Sequence, residues 1–146
     1  MLKEKTIAPE FSLGSQDNEF FNLGDYRGKW VAIYFYPKDN SPGCTTEAKN
    51  FRDNINKFRN LDAVIVGISP DSPDRHRQFA HKYNIPITLL SDPEKAVIKK
   101  YHAGGPVTKR ISYLVNPEGI IEKAYSSVNP ARHAEEIIND LESLRV

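Results

Sequence analysis

The sequence predicts one α/β domain, a mixed sheet packed against helices. Short runs of β-branched and aromatic residues alternate with segments of helical period, and the alternation ends in a strand pair followed by one helix. At 146 residues, 39% hydrophobic and 27% charged, the chain has ordinary globular composition and room for a single domain over 1–146. A chain of this size buries roughly 68 to 70% of the surface its unfolded form exposes, so its core needs no metal or disulfide.

Near the start, apolar residues at 11–13 and 20–21 flank the polar turn Gly14-Ser15-Gln16-Asp17-Asn18 and read as a hairpin covering a sheet edge. Residues 30–36 form a continuous apolar run stopped by Pro37, the pattern of a strand buried on both faces, here the central one. Cys44, Ala48, Phe51, Ile55 and Phe58 then recur at helical spacing, which predicts one helix starting close to Cys44. A second strand is expected at 63–68. Ser72-Pro73-Asp74 supplies an N-cap, a Pro at the first helical position and an acidic first turn for a helix to about 82. A third strand over 87–90 leads to Ser91-Asp92-Pro93-Glu94, read as the cap of a short helix to about 101. Residues 110–115 and 120–125 flank Asn116-Pro117-Glu118-Gly119 as an antiparallel hairpin, and Asn129-Pro130 opens a last helix through 144 with Ile137, Ile138, Leu141 and Leu144 inward.

A formal net charge of +1 supplies no basic field of the kind nucleic-acid binding rests on. No stretch approaches membrane-spanning length, and the charged first residues carry no secretory signal, so no nucleic acid and no membrane are expected as partners and the expected location is cytoplasmic. The four histidines are scattered, and His76 and His81, five apart, do not share a helical face as ligands would; no metal site is expected. Gly104-Gly105 lacks the Lys and Ser/Thr of a phosphate loop, so no nucleotide or other cofactor is implied.

The single Cys excludes an internal disulfide and a Cys-rich zinc site. Ser41 reads as an N-cap with Pro42 and Gly43 first and Cys44 third in the helix, where backbone N–H groups and the positive helix end favour an anion and Gly43 lets a ligand approach the backbone. Two readings stand on this local pattern: a thiolate site, or a small buried apolar residue at the start of the inner face. Magnitudes constrain the first. A thiol of pKa about 8.5 gains at most roughly 30-fold from full ionisation. Lowering its pKa to about 6 needs roughly 3.4 kcal/mol, whereas a helix end contributes about 0.3 to 1 and at most ~2. A cation is therefore required, with Lys38, Lys49, Arg52 and Arg110 as candidates; Arg110 suits the geometry best, yet read locally it fits a solvated strand-end arginine better.

The segment Phe35-Tyr36-Pro37-Lys38-Asp39-Asn40-Ser41-Pro42-Gly43-Cys44-Thr45-Thr46-Glu47-Ala48, followed by Phe51-Arg52-Asp53, resembles the peroxiredoxins, and within them the Q-type, or bacterioferritin comigratory protein, subfamily. Ala8-Pro9-Glu10-Phe11, Tyr26-Arg27-Gly28-Lys29-Trp30, Gly67-Ile68-Ser69, Leu89-Leu90-Ser91-Asp92 and the residues from Arg110 to Val115 extend the likeness over nearly the whole chain. The resemblance implies a thioredoxin-like fold and reduction of hydrogen peroxide or organic hydroperoxides. It makes Cys44 the nucleophile, Ser41 and Arg110 the groups that hold the leaving oxygen, Pro37 the shield against water, and Gly43 and Glu47 part of the substrate site, Glu47 orienting the Arg. Where many Q-type members carry a resolving cysteine, five residues on, Lys49 stands here, and no later cysteine exists. The resemblance is thus to a one-cysteine member whose sulfenic acid is reduced by an outside thiol, either small or thioredoxin- or glutaredoxin-like, with a monomer or weak homodimer expected. Two rivals follow: a peroxide sensor that relays oxidation from Cys44 to a partner protein, and a non-catalytic thioredoxin-like module with an unreactive Cys44.

Overall fold

The computed structural model describes residues 1–145; Val146, the last residue of the expected domain, lies outside the described residues. The elements are β1 (Ser12–Ser15), β2 (Phe20–Asn22), a 3-10 turn (Leu23–Tyr26), β3 (Trp30–Phe35), α1 (Pro42–Asp53), α2 (Ile55–Asn60), β4 (Ala63–Ser69), α3 (Pro73–Tyr83), β5 (Thr88–Ser91), α4 (Ala96–Lys100), β6 (Ser112–Val115), β7 (Ile121–Tyr125) and α5 (His133–Leu144). They build one seven-stranded sheet in the order β2-β1-β5-β4-β3-β6-β7. β3 pairs parallel with β4 and antiparallel with β6, so the apolar run expected at the centre lies there, buried on both faces. The N-terminal hairpin extends the sheet instead of only covering it: Gly14 and Ser15 of β1 pair with Ser91 and Leu90 of β5.

The two faces of the sheet bury different sets of residues. Ala32, Tyr34 and Tyr36 pack with Cys44, Ala48 and Phe51 of α1, Phe58 of α2, Phe79 of α3 and Ile137 and Leu141 of α5. Val31, Ile33 and Phe35 face Val97, Ile98 and Tyr101 together with Phe11, Phe21 and Leu23 of the N-terminal segment. Alternation along β3 thus sends Tyr34 and Tyr36 toward the helix that bears the cysteine.

Four of the boundaries that differ from the sequence reading bear on how the helices and Arg110 are placed. The helix expected from Cys44 to Phe58 breaks at Asn54, whose side-chain amide donates to the Asn50 carbonyl and to Glu135 of α5, diverting backbone hydrogen bonding. The helix expected after Ser91 begins only at Ala96, because Lys95 is left-handed (φ 60°) and Asp92 caps from a distance, its Oδ2 accepting from the Ile98 N–H at 2.7 Å. The last helix begins at His133, since Asn129 closes a turn and Asn50 of α1 supplies the cap, its Oδ1 accepting from the Ala134 N–H at 2.7 Å. β6 begins at Ser112, which leaves Arg110 just ahead of the strand and free to turn toward α1.

Candidate active site

β3 ends at Phe35, and Tyr36 donates its N–H to the Ile68 carbonyl of β4, so the sheet fixes where the chain departs. Pro37 is half-buried at this point. The loop turns through Asn40, left-handed at φ 65°, and enters α1 through an extended Ser41. Pro42, Gly43 and Cys44 are the first three helical residues, as their sequence predicts. Ser41 holds the N-cap position, but its side chain does not cap: its carbonyl accepts the first helical bond from the Thr45 N–H at 2.9 Å, while its hydroxyl donates to the Lys38 carbonyl at 2.9 Å. No side chain therefore caps the first turn, and its N–H groups and positive end point toward the sulfur's surroundings.

Cys44 is 2% exposed. The Arg110 guanidinium reaches it from across the sheet, Nη2 donating to Sγ at 3.3 Å and Nη1 to Glu47 Oε1 at 2.7 Å. Gly43 makes this approach possible, since a Cβ there would stand 2.9 Å from Arg110 Nη2. The sequence reading gave the opening at Gly43 to a ligand; in the fold the Arg110 guanidinium occupies it. The other candidate cations are engaged elsewhere: the Lys49 ammonium lies over the Tyr83 ring at 4.8 Å, Arg52 donates to the Tyr83 carbonyl, and Lys38 is exposed.

Glu47 is fully buried, and burial, opposed by Arg110, pushes its carboxyl up to about 7. Burial works against the Arg110 cation, but the Cys44 hydrogen bond and charge, then those of Glu47, raise its pKa above the usual value. Glu47 Oε2 has no hydrogen-bond partner among the described residues, and neither has the Tyr34 hydroxyl. The Tyr34 ring stacks on Phe51 of α1 at 4.7 Å and occupies the space a Cβ at Gly67 would need. Burial, then the charges of Glu47, Asp39 and Cys44, raise the Tyr34 pKa well above its usual value.

Sequence reasoning missed a second buried group beneath the loop. Asp39 Oδ1 accepts from the Tyr36 hydroxyl at 2.6 Å, and Oδ2 lies 2.6 Å from His76 Nδ1. The inward spacing of His76 and Phe79 on α3 was the available signal. Donor atoms of Asp39, Asp71 and His76 lie within 4.8 Å of one another, a spacing that suits a metal, but hydrogen bonds already engage all three residues. Three clefts of about 300 to 410 Å³ lie away from Cys44. Among the described residues no helix is long and apolar enough to cross a membrane.

A thiol under a guanidinium at an uncapped helix end, on a thioredoxin-like sheet, is an arrangement suited to a reactive thiolate, and the relatives place the chain among the thiol-dependent peroxidases. Residues 5–124 match the AhpC/TSA family, and the chain belongs to it. Its similarity is to the Q-type branch. Peroxiredoxin Bcp of Bacillus subtilis is 38% identical over 146 residues, covering 94% of this chain and 93% of that protein. The chloroplastic peroxiredoxin Q of Populus jackii is 38% identical over 141 residues, covering 93% of this chain and 66% of the relative. Among solved structures, the Xanthomonas campestris bacterioferritin comigratory protein, studied for alkyl peroxide reduction, superposes with a TM-score of 0.90 at 29% identity, covering 93% and 92% of the two chains. Peroxidoxin BcpB of Mycobacterium tuberculosis gives 0.92 at 26% identity over the full length of both. Against this background the chain is a one-cysteine member, with Lys49 five residues after Cys44.

Proposed function

We propose that this single-domain chain reduces hydrogen peroxide and organic hydroperoxides through Cys44 and is regenerated by a thiol from outside. The Cys44 thiolate attacks the terminal oxygen of ROOH; the S–O bond forms as the O–O bond breaks, and the departing RO⁻ takes a proton to become an alcohol or water. An external thiol then attacks the sulfenic acid, releasing water and leaving a mixed disulfide, which a second thiol resolves to free Cys44 and an external disulfide. Two electrons from two thiols thus reach one peroxide.

The observation that carries this reading is the Arg110 guanidinium bridging Cys44 Sγ and Glu47. Ionisation alone is worth at most roughly 30-fold, so the remaining acceleration comes from groups that stabilise the leaving oxygen. Arg110, the Cys44 N–H and the Ser41 hydroxyl, after rotating away from the Lys38 carbonyl, fill that role. Pro37 excludes water, Gly43 opens space over the helix end, and Glu47 holds Arg110. The alkyl peroxide activity of the Xanthomonas campestris relative supports organic hydroperoxides as substrates. A lone free thiol suits a reducing compartment such as the cytoplasm, with a thioredoxin-like, glutaredoxin-like or small thiol as reductant and a monomer or weak homodimer as the working form.

The test is rapid mixing of reduced protein with an equimolar amount of hydrogen peroxide, following the fluorescence of the single Trp30 and the intact mass. Gain of one oxygen within seconds is expected, and a thiol unchanged after minutes overturns the reading. Cys44→Ser abolishes peroxide consumption without unfolding the protein; residual turnover in this variant places the chemistry elsewhere. The lack of a resolving cysteine also favours a second reading, a sensor that passes oxidation to a partner protein, which predicts oxidation of Cys44 without turnover on a small thiol.

A further inference from the structure

The loop before Cys44 is fastened at its base by groups that leave the sulfur to Arg110. Asp39 and His76 are both fully buried. His76 Nε2 lies 3.1 Å from the Leu90 carbonyl, which can only accept, so Nε2 carries a hydrogen. The 2.6 Å separation of His76 Nδ1 from Asp39 Oδ2 requires a second hydrogen between them, whether it belongs to an imidazolium facing a carboxylate or to a carboxylic acid facing an imidazole. The Tyr36 hydroxyl holds the other Asp39 oxygen, and the Asp39 N–H donates to Asp71 Oδ2 at 2.8 Å. One loop residue is thereby tied to α3, through His76 to β5, and to the turn after β4. Beyond it the hold is weaker: Asn40 is left-handed and no side chain caps α1.

This distribution matters because the reaction makes opposite demands on the loop. Attack on peroxide uses the closed arrangement, with Cys44 buried under Arg110. Reduction needs an external thiol to reach a sulfur that is only 2% exposed, with no cysteine of the same chain to do it, so the first turn of α1 must open. We infer that His76, acting through Asp39, is a positioning residue for Cys44: it holds the loop closed for oxidation, and the strength of its hold sets how readily the oxidised sulfur meets the reducing thiol. The inference rests on the peroxidase reading above.

Two substitutions separate this role from packing. His76→Gln places an amide near the Nε2 position and keeps the Leu90 contact but loses Asp39, whereas His76→Asn places one near Nδ1, keeping Asp39 and losing Leu90. Oxidation by hydrogen peroxide and reduction of the sulfenic acid by dithiothreitol are measured separately by quenching and intact mass. In the Gln variant oxidation is expected to slow about tenfold while reduction quickens about threefold; the Asn variant restores both to within about twofold of the unmodified protein. Parallel loss of both rates, or identical behaviour of the two variants, overturns the inference. Tyr36→Phe, which removes one Asp39 bond and little volume, shifts the two rates in the same opposed directions by smaller factors and serves if His76→Gln does not fold. Hydrogen exchange at the amides of residues 43–46 in reduced protein needs no peroxide: faster exchange in the Gln variant alone is expected, and unchanged exchange overturns the inference. Unmodified protein that ignores peroxide fails before any variant is made, and that result overturns the peroxidase reading itself.

Discussion

Two polar clusters, one running from buried Ser112 and His133 out to exposed Glu136, sit on the same side of the sheet, and they differ in what they leave unpaired. At one, Ser112 of β6, His133 and Glu136 of α5 are hydrogen-bonded in sequence, Oγ to Nε2 at 2.8 Å and Nδ1 to Oε1 at 2.9 Å. The order is that of a hydrolase triad, but Ser112 is 1% exposed and Phe51 and Tyr125 press edge-on against the imidazole. Every ring nitrogen and the hydroxyl has a partner, so the cluster fastens α5 to the sheet. At the other, Cys44, Arg110, Glu47 and Tyr34, two of the four buried polar atoms that lack a partner among the described residues are Glu47 Oε2 and the Tyr34 hydroxyl. Unpaired buried groups cost stability and are rare in native folds. Two such groups lie in the Cys44 cluster and none in the Ser112 cluster, the distribution expected if the cluster around Cys44 serves chemistry and the one around Ser112 serves cohesion.

The largest way to break this contrast is Arg110→Ala. It removes both the cation and a donor to the leaving oxygen, so Cys44 oxidation should fall by more than the roughly 30-fold that ionisation explains, read as the second-order rate with hydrogen peroxide. A smaller loss removes Arg110 from the transition state. Gly43→Ala acts on the same group indirectly, pushing a methyl to 2.9 Å from Arg110 Nη2; the guanidinium must shift, and oxidation should slow by about tenfold with the thermal midpoint little changed.

Glu47→Gln sharpens the contrast through pH. Burial raises the Glu47 carboxyl from 4.5 to about 7, so the folded state binds more protons than the unfolded state between those values. Its contribution is complete below about 4.5 and is lost as pH rises through 7, amounting to about 3 kcal/mol. Urea unfolding of Glu47→Gln should lack that fall. His133 has the opposite sign: burial, resisted by Glu136, lowers its pKa below 6.5, and its contribution is lost as pH falls through the lowered value. The smallest effect is expected for Ser112→Ala, a loss of about 1 to 2 kcal/mol in urea unfolding with peroxide reactivity unchanged. An altered oxidation rate in that variant erases the distinction between the clusters.

Much of this was legible in one dimension. The central strand, the Ser72 cap, which accepts from the Arg75 N–H, and the placement of Cys44 third in its helix follow from local pattern, because each rests on contacts within a few residues. Two helix ends shifted because distant partners set them: Asn50 caps α5 from 84 residues away, and Glu135 takes the Asn54 amide that breaks the helix. His76 looked like a scattered histidine because its partner Asp39 lies 37 residues earlier and Leu90 on another strand. Arg110 was one of four candidate cations on local grounds, favoured only weakly by its place at the start of a strand, and the family resemblance singled it out.

The sequence by itself determined the strand order along the chain, the placement of Cys44 in the first turn of α1, the single thiol and the absence of an internal sulfur partner, since spacing and composition suffice for each. The tertiary structure decided which cation meets the thiol, because β6 lies beside β3 and so delivers Arg110 66 residues away to the mouth of α1, where Gly43 clears its path. It also decided that Glu47 Oε2 and the Tyr34 hydroxyl find no partner among the described residues and that Asp39 is bound to His76. Electrostatic strength at a buried sulfur depends on distances of a few ångströms, and no linear spacing encodes those until the sheet has closed.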